Sequence, residues 1–338
     1  NVAILAPGTY NLPTGKNLTI TGAVDGVQFG PIGTPRMDGN YTFNNVTFNY
    51  AADSHYKGLQ YAGDMVYNNC TFNGQVFLYG NKETFNGCTF NQENSGYYNV
   101  WTYSAKEVAF NECIFNSAGK SVLIYHEGAT TFNDVAVTKC EFNASQTVED
   151  KAAIEMDSSL TDGINLTIDG ETTATGFDNG NVSGNSLWNN KKGNNNDANN
   201  DITVVVAGET VLEPVYVAKI GEEGHRTLQE AINEVKNGET ITLLANCDEA
   251  VHINKTNVTF TIDGQISETE KVDFSGVIGI NIGQNVTIRN IDFNGATANH
   301  DFIKNEGSPT GKNYNTTLLV ENCSFTGNSE FDVVGVRT

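Results

Sequence analysis

The chain has 338 residues and a formal net charge of −21, because 40 Asp and Glu residues outnumber 19 Lys and Arg residues. Such an acidic chain repels phosphate backbones and anionic lipids, which argues against a nucleic-acid partner or a membrane-surface role. Hydrophobic residues make up 38% of the sequence, enough to build a folded core. No apolar run approaches the roughly 20 residues that a membrane helix needs, so we expect no membrane insertion.

The first residues, Asn1-Val2-Ala3-Ile4-Leu5, already have the composition of a strand. They contain no charged segment followed by an apolar one, which is the pattern of an export signal. We expect that an export signal lies upstream of Asn1, and that the protein is secreted or held at the cell surface. We also expect it to be a monomer.

A five-residue phrase that ends in Phe-Asn recurs along the first half of the chain. Its copies are Asn45–Asn49, Asn69–Asn73, Gly87–Asn91, Glu112–Asn116 and Lys139–Asn143. Their Phe residues lie 18 to 27 positions apart, which is a period typical of solenoid repeats. Apolar residues alternate within each copy, as in a strand with one buried face. The sequence therefore predicts a solenoid with one coil of parallel strands per repeat.

Aligned coils place like residues in columns, because parallel strands stack about 4.8 Å apart. Phe85 is expected to stack on Phe110, and Phe90 on Phe115. The Asn residue that follows each Phe is expected to form an amide ladder at the turn. These residues are Asn49, Asn73, Asn91, Asn116 and Asn143.

Five of the six cysteines occupy one position, two residues before a Phe. They are Cys70, Cys88, Cys113, Cys140 and Cys323. A disulfide framework does not require a constant local register, whereas a stacked core position does. We therefore expect reduced cysteines in the core, where a thiol behaves as a small hydrophobic group. A metal site is not expected, because no Cys-x-x-Cys pair occurs.

A second strand of each coil is predicted after the first. The segments are Phe77–Gly80, Trp101–Ser104, Leu123–His126 and Ile154–Asp157. Alternation predicts that the first and third residues of each segment share one face, which we assign to the core. These residues are Phe77, Trp101, Leu123 and Ile154, with Tyr79, Tyr103, Tyr125 and Met156. The remaining residues, which include Leu78, Ile124, His126, Glu155 and Asp157, are then expected to face outward.

The Cys-x-Phe-Asn phrases, the Asn ladder and the coil length resemble those of the right-handed parallel β-helix of the pectin-lyase-like superfamily. The resemblance covers most of the chain. It implies an all-β fold, a right-handed parallel β-helix solenoid. Many members of that superfamily cut acidic or neutral polysaccharides, so the resemblance also directs attention to carbohydrate ligands.

The regular pattern fades after Gly170, and Asn and Gly dominate residues 177–201, which predicts a long surface loop. Asp and Asn residues at 194–201 raise weak calcium binding as an alternative. A solvated loop is preferred, since the spacing of a calcium-binding loop with its terminal Glu is not met. No other cofactor is indicated.

A single amphipathic helix is predicted near 226–237, where Thr227-Leu228-Gln229-Glu230 forms a capping box. We expect this helix to cover the end of a second β-helix core. The chain is therefore divided into a first β-helix segment, 1–206, and a second one, 207–338. Residues 226–264 resemble repeat modules of large exported proteins of gut bacteria that are described as adhesin-like.

The signatures of catalytic members of the superfamily are missing. Lyases of this fold use Arg or Lys beside an acidic sugar, but the four Arg residues are scattered and no Arg-x-Pro-x-x-Arg phrase occurs. The paired Asp-Asp and the Gly-His-Gly of the hydrolases are also missing. The Arg residues are Arg36, Arg226, Arg289 and Arg337.

One patch could nevertheless perform acid and base chemistry. The predicted register places His126 beside Asp157, and Glu155 shares the face of Asp157. Two carboxylates and an imidazole on one sheet suit hydrolysis of a glycosidic bond, so His126, Glu155 and Asp157 are the candidate catalytic residues. The candidate ligand-binding residues are Trp101, Tyr103, Tyr125 and Glu127. Trp101 is either a core residue, which the register favours, or an exposed platform for a sugar.

Three functions follow from these patterns. The preferred one is a non-catalytic, adhesin-like surface protein that binds a glycan or a host surface molecule through its flank. The alternative is a polysaccharide lyase or glycoside hydrolase acting along the coils between Tyr103 and Asp157. The third is a structural stalk.

Overall fold

A computed structural model defines two compact units, Asn1–Pro214 and Val215–Thr338. Both are built from stacks of mainly parallel strands, so the predicted all-β parallel solenoid is confirmed. The structure describes residues 2–13, 15, 17–23, 26–51, 53, 55–125, 133–157, 163–178, 186–192, 202–255, 258–281, 284–294, 301–305, 317–327 and 334–335.

Three sheets run along the first unit. The first sheet contains Val2–Leu5, Leu18–Gly22, Tyr41–Asn44, Asp64–Asn68, Lys82–Asn86, Glu107–Asn111, Asn133–Thr138, Ile164–Ile168, Ile202–Val206 and the antiparallel Glu209–Leu212. The second contains Gly8–Tyr10, Val27–Phe29, Thr47–Asn49, Thr71–Asn73, Thr89–Asn91, Ile114–Ser117, Glu141–Ala144 and Thr173–Thr175. The third contains Val76–Phe77, Val100–Trp101, Val122–Ile124, Ile154–Asp157 and Trp188–Lys192. Between Asp64 and Lys192 the three sheets receive strands in strict rotation, which is the winding of a solenoid.

Aromatic side chains form two columns in the core of the first unit. In the second sheet, successive ring centroids are 4.5 to 5.0 Å apart from Phe48 to Phe142. The predicted pairs are confirmed, with Phe85 stacked on Phe110 at 5.1 Å and Phe90 on Phe115 at 4.6 Å. The columns meet edge to face, as at Phe85 and Phe90, which suits the charge distribution of aromatic rings.

Two amide ladders run beside these columns. The predicted one is confirmed from Asn49 to Asn116, where each side-chain amide donates to the Oδ1 of the previous coil at 2.9 to 3.0 Å. A second ladder was not predicted and has bonds of 2.8 to 2.9 Å. Its members are Asn44, Asn68, Asn86 and Asn111. The ladder amides are half-buried, apart from the exposed Asn116, and the bonds along each ladder give partners to groups that are partly withdrawn from water.

The first residue of each repeated phrase makes the turn between the first and second sheets. Its φ angle lies between 52° and 60° in all five copies, which is the left-handed region. Gly87 adopts this region without steric cost, whereas Glu112 and Lys139 do so at about 1 kcal/mol each. The stacked strands on either side hold the turn in this conformation.

All six cysteines are free, and Cys70, Cys88, Cys113 and Cys140 are buried. Their thiols donate to carbonyl oxygens of the previous coil, as from Cys113 Sγ to Phe85 O at 3.4 Å. The prediction of reduced cysteines is therefore confirmed, although Cys323 is only half-buried. Burial raises the pKa of the Cys88 thiol, and it raises that of Cys247 to about 12.

The predicted faces of the third sheet were wrong for the segments that begin at Phe77, Trp101 and Leu123. The core contains Val76, Val100 and Val122, so their neighbours Phe77, Trp101 and Leu123 face away from it. Leu78 and Ile124, which were expected outside, are buried in the core. The assignment used alternation alone, and the β-branched residues one position earlier fill this face of the core.

The predicted register to the next coil was also wrong. Val122, and not Leu123, pairs with Ile154, so Leu123 lies level with Glu155. Ile154 and Met156 are in the core, as predicted. Glu155 therefore continues the outward column of Leu123.

Residues 177–201 are not a continuous loop. Trp188–Lys192 is a strand that pairs with Ile154–Asp157, and Trp188 packs against the core. An Asn-rich composition concealed this strand, because its apolar signal is confined to Leu187 and Trp188. The segment 194–201, considered for calcium, lies outside the described residues.

The second unit also contains three sheets. The largest contains Ala218–Ile220, Glu223–His225, Thr240–Leu243, Thr259–Asp263, Asn285–Arg289 and Thr317–Glu321, with antiparallel pairing only around Ala218–Ile220. A second contains Ala250–Ile253, Val277–Ile280, Ile303–Asn305 and Val334–Gly335. The smallest contains Val272–Phe274, Ile291–Asn294 and Ser324–Thr326.

The helix of the second unit spans Leu228–Glu234 and begins with the predicted capping box at Thr227. Its apolar face lies in the core of the second unit, as predicted. Glu249 accepts hydrogen bonds from the N–H groups of Leu228 and Gln229 at 2.8 and 3.3 Å. The helix ends before the predicted position because Val235 is no longer helical. Over the described ranges, no helix has the length and apolar character needed to cross a membrane.

Glu83 occupies a core position of the first sheet. It pairs with Met65 and Val108, both buried, and its own exposure is 3%. Burial raises the pKa of Glu83 to about 7, although hydrogen bonds oppose this change. Glu83 is therefore a core group that titrates near neutral pH.

Cys323 is expected to react with iodoacetamide faster than the other five thiols of the folded protein, because those five are buried. Partial burial raises the pKa of Cys323 itself, so its reaction should be slower than that of a free thiol. Mass spectrometry after brief labelling at pH 8 would locate the modified residue. Cys323→Ser should leave the folded chain almost unlabelled, and unfolding in urea should expose the remaining thiols. Equal labelling of Cys70 to Cys140 in the folded state would contradict this arrangement.

Replacing Glu83 is expected to remove a pH dependence of stability. A folded pKa of about 7 against an ordinary value of 4.5 means that the native state binds the proton more tightly. The resulting stabilisation is complete below pH 4.5 and is lost as the pH rises through 7. From pH 5 to 8, the wild type should lose about 2 to 3 kcal/mol of unfolding free energy relative to Glu83→Gln.

Urea unfolding at pH 5, 6, 7 and 8 measures this difference. Glu141→Gln, at an exposed strand position, is the matched control and should keep the wild-type profile. Parallel pH profiles for the wild type and Glu83→Gln would show that Glu83 does not titrate in this range.

Candidate functional site

An outward-facing column crosses the third sheet. Strand pairing aligns Phe77, Trp101, Leu123, Glu155 and Asn189 at one level of successive coils. Although these residues face away from the core, most of them are almost fully buried, with Glu155 and Leu123 each 1% exposed. Side chains from the connecting loops therefore cover this side of the solenoid.

Aromatic rings form most of that cover, and we call the connected set the aromatic face. Its members are His55, Tyr56, Phe77, Tyr79, Tyr97, Tyr98, Trp101, Tyr103 and Tyr125. At its centre, Phe77 stacks on Trp101 with centroids 4.9 Å apart and planes 25° apart. Tyr56 and Tyr103 lie 5.3 and 5.5 Å from Phe77.

The aromatic face has a buried floor and an exposed surface. Phe77 is 1% exposed, whereas Tyr56 is 52% exposed and Trp101 and Tyr103 are half-buried. Tyr56 and Tyr103 have φ angles of 57° and 32°. Left-handed backbone is strained for a bulky residue. Tyr61, which lies outside the face, has the same conformation with a φ of 55°.

The rim of the face is tied together by polar contacts. The Tyr79 hydroxyl donates to the carbonyl oxygen of Tyr56 at 3.0 Å. The Tyr79 ring lies edge-on to Tyr103 at 5.2 Å, and His55 contacts Tyr97 at the same distance. These contacts hold loops from three successive coils in one surface.

Tyr98 connects the aromatic rings to a buried carboxylate. Its ring stands edge-on to Trp101 at 6.0 Å, and its hydroxyl donates to Glu155 Oε2. Lys151 Nζ contacts the other oxygen, Glu155 Oε1, at 2.8 Å. Burial, together with the Glu155 carboxylate, raises the pKa of Tyr98 well above its ordinary value, so its hydroxyl remains a donor.

Polar side chains extend this end of the face. Asp157, two residues after Glu155 on the same strand, is 7% exposed. Asn189 and Asn190 on the next strand are 0% and 6% exposed. One end of the face is therefore apolar and open, and the other carries carboxylates and amides.

The structure brings together most of the residues selected from the sequence. Trp101, Tyr103 and Tyr125 belong to the aromatic face, with Trp101 edge-on to Tyr125 at 5.8 Å. Glu155 and Asp157 lie at its polar end. The core position favoured for Trp101 was wrong.

The other two selected residues, His126 and Glu127, lie outside the described residues. The pairing of this strand with the next one is described as far as Ile124, which pairs with Met156.

Several members of the face were not selected from the sequence, among them Tyr56, Tyr97 and Tyr98, and neither was the neighbouring Lys151. The sequence marks some of them by the length of the repeat, because they lie in coils longer than the shortest one. The Phe spacing is 18 residues from Phe72 to Phe90 and 25 from Phe90 to Phe115, and the longer interval contains Tyr97 and Tyr98. Added residues in a solenoid coil map to loops on one side, which are often binding loops.

Metal-ligating side chains do not cluster within the described part of the chain, where no group of three His, Cys, Asp or Glu residues could hold an ion. Comparison with known proteins gives no assignment. The chain matches no protein-family model, and no curated protein or solved structure is significantly similar to it. The function is therefore argued from the geometry of the aromatic face.

Lys151→Ala is expected to destabilise the protein by about 3 kcal/mol, because the buried Glu155 would lose its cation. Urea unfolding at pH 7 measures the change. Lys82→Ala is the matched control, since Lys82 forms an exposed pair with Glu107 at 2.7 Å that should contribute less than about 1 kcal/mol.

The double variant Lys151→Met/Glu155→Gln should recover much of the loss, because the Gln side chain still accepts from Tyr98. Equal effects of Lys151→Ala and Lys82→Ala would contradict a desolvated ion pair at this site.

Proposed function

We propose that the protein is a non-catalytic glycan-binding protein of the extracellular space, with the aromatic face as its binding site. The observation that carries this proposal is a connected network of aromatic side chains on the outer side of the solenoid. Exposed aromatic clusters on folded proteins mark interaction surfaces. Export accords with this function, since polysaccharides are accessible outside the cell.

Aromatic rings suit sugars for a physical reason. A pyranose ring presents a face of C–H groups, which packs on the π surface of a side chain and is removed from water. Tyr56 and Trp101 offer such surfaces, supported from below by Phe77.

The charge of the whole chain, −21, favours a neutral glycan. The polar end of the face contains Glu155 and Asp157, and Lys151 pairs with Glu155. A second cation, Lys120 Nζ, lies 5.7 Å from the centroid of the Tyr98 ring. Uronic acids would be repelled by this field. Neutral sugars avoid the repulsion, and their hydroxyls can donate to carboxylate and amide oxygens.

Glycoside hydrolysis receives less support from the geometry. A general acid or nucleophile needs a carboxyl oxygen directed at the substrate. Both oxygens of Glu155 are engaged, one by Lys151 and one by Tyr98. These contacts suit Glu155 to hold the Tyr98 ring in place.

Binding to soluble polysaccharides tests the proposal. The probes are a mixed-linkage β-glucan, a galactomannan and an arabinoxylan, with polygalacturonate as the acidic comparison. We expect affinity electrophoresis and calorimetry to show binding to at least one neutral probe and weaker binding to polygalacturonate. Tyr56→Ala should weaken the binding about tenfold, because one stacking surface is lost.

Tyr61→Ala is the matched control, since Tyr61 is 63% exposed and packs under Arg36, outside the aromatic face. It should bind as the wild type does. Equal binding by Tyr56→Ala and the wild type would contradict the assigned surface. Failure to bind any probe would favour a structural stalk, and release of reducing ends or unsaturated products would favour an enzyme.

A further inference from the structure

A buried carboxylate of the first sheet is hydrogen-bonded to a segment that carries part of the aromatic face. Glu83 points into the core of the first unit, at a level where the neighbouring coils carry Met65 and Val108. A carboxylate in an apolar column is costly unless its oxygens are hydrogen-bonded. The partners of Glu83 therefore indicate what its burial achieves.

Those partners belong mainly to one corner of the coil. The N–H of Gly80 donates to Glu83 Oε1 at 2.7 Å, and the N–H of Tyr79 also donates to this carboxylate. The Tyr67 hydroxyl donates to Oε2 at 3.3 Å. A side chain at position 80 would lie 2.7 Å from Glu83 Cγ, so the close approach requires glycine.

This corner carries a member of the aromatic face. Tyr79 leaves the third sheet at the corner, packs its ring against Tyr103 at 5.2 Å and donates its hydroxyl to the Tyr56 carbonyl. Glu83 holds the backbone N–H of Tyr79 from the inside while the Tyr79 side chain extends to the outside. A contact in the core thus reaches the exposed rings through a single residue.

We propose that Glu83 is a positioning residue of the aromatic face, whose ionised carboxylate fixes the Tyr79–Gly80 corner and makes glycan binding depend on pH. The binding part rests on the proposed function, whereas the structural part does not. The ionised group accepts all three hydrogen bonds. A protonated carboxyl group accepts fewer hydrogen bonds, so the Tyr79–Gly80 corner is held less firmly. The position of Tyr79 relative to Tyr103 and Tyr56 is then less well fixed.

The surroundings of Glu83 place this change near neutral pH. The titratable side chains that face it are Tyr67 and Tyr50, and burial together with the Glu83 charge raises the pKa of both hydroxyls. Neither tyrosine ionises in the range in which Glu83 does, at about 7. Lys82 and Glu107 pair with each other on the opposite side of the sheet. The predicted dependence therefore belongs to Glu83.

The first measurement is hydrogen exchange of the Tyr79 and Gly80 amides between pH 5.5 and 8, corrected for intrinsic rates. The global stability of the wild type falls over this range, so protection of these amides is read relative to that of the Phe110 strand amide. This ratio should rise about fivefold through pH 7 in the wild type, corresponding to one strengthened local hydrogen bond. Glu83→Gln should give a flat profile, and Glu141→Gln should follow the wild type. A wild-type profile in Glu83→Gln would overturn the proposal.

The second measurement is affinity for the same three neutral polysaccharides over the same pH range. The wild type should bind about fivefold more tightly at pH 8 than at pH 6, and Glu83→Gln should bind equally at both. Tyr79→Phe should weaken binding while keeping the pH profile, since Glu83 is retained. If Glu83 has only a structural role, Glu83→Gln should change the unfolding midpoint, and the affinity of the variant should depend on pH as that of the wild type does.

The two measurements separate the two proposals. If none of the three polysaccharides binds the wild type at any pH, glycan binding fails, and amide exchange alone decides the positioning role. If the wild type binds without a pH dependence, the role of Glu83 in recognition is excluded while glycan binding stands.

Discussion

The spacing of successive coils constrains every side chain in the core of the first unit, because each must fit directly against its counterpart one coil away. Strands repeat at about 4.8 Å, a distance that suits flat rings, amides and small thiols lying one over another. Phe90 and Phe115 meet this condition at 4.6 Å, and Asn73 and Asn91 meet it with a 3.0 Å hydrogen bond. A residue that stacks on its own kind satisfies both neighbours at once, so identical residues recur although the loops between them differ in length.

The candidate site lies where this regularity is relaxed. The inner side of the third sheet continues the core with small branched residues such as Val100, while the outer side gathers rings from loops of unequal length. The rigid stack supplies fixed anchor points, and the loops supply Tyr56 and Tyr98, which no repeat requires. Glu83 joins the two layers, since it sits in the stack and hydrogen-bonds to the corner that carries Tyr79. Its buried charge costs stability, in accord with the general opposition between stability and function.

The fold could be predicted from the sequence because stacked coils need similar residues at equivalent positions, which produces a repeat. The repeated phrases around Cys88 and Cys113 identify the strand, the turn and the register. The faces of the third sheet were not readable, since Val76-Phe77 and Val100-Trp101 offer two apolar residues in a row and alternation cannot choose between them. Only the packed core shows that the valine is inside. The covering of Glu155 by Tyr98 could not be foreseen either, as the two lie 57 residues apart and meet across two coils. Trp101, Tyr103 and Tyr125 were selected as ligand-binding candidates, yet their common surface depends on loops whose course no local pattern encodes.

The amide ladders make successive coils of the solenoid equivalent to one another. Asn91 makes the same bond toward Asn73 as Asn116 makes toward Asn91, so every rung is interchangeable with the next. Gene duplication or loss of one whole coil would leave each remaining rung with an equivalent partner, whereas an insertion of a few residues within a strand would break the series. Evolution can therefore lengthen or shorten this protein in steps of a coil while it diversifies the loops independently.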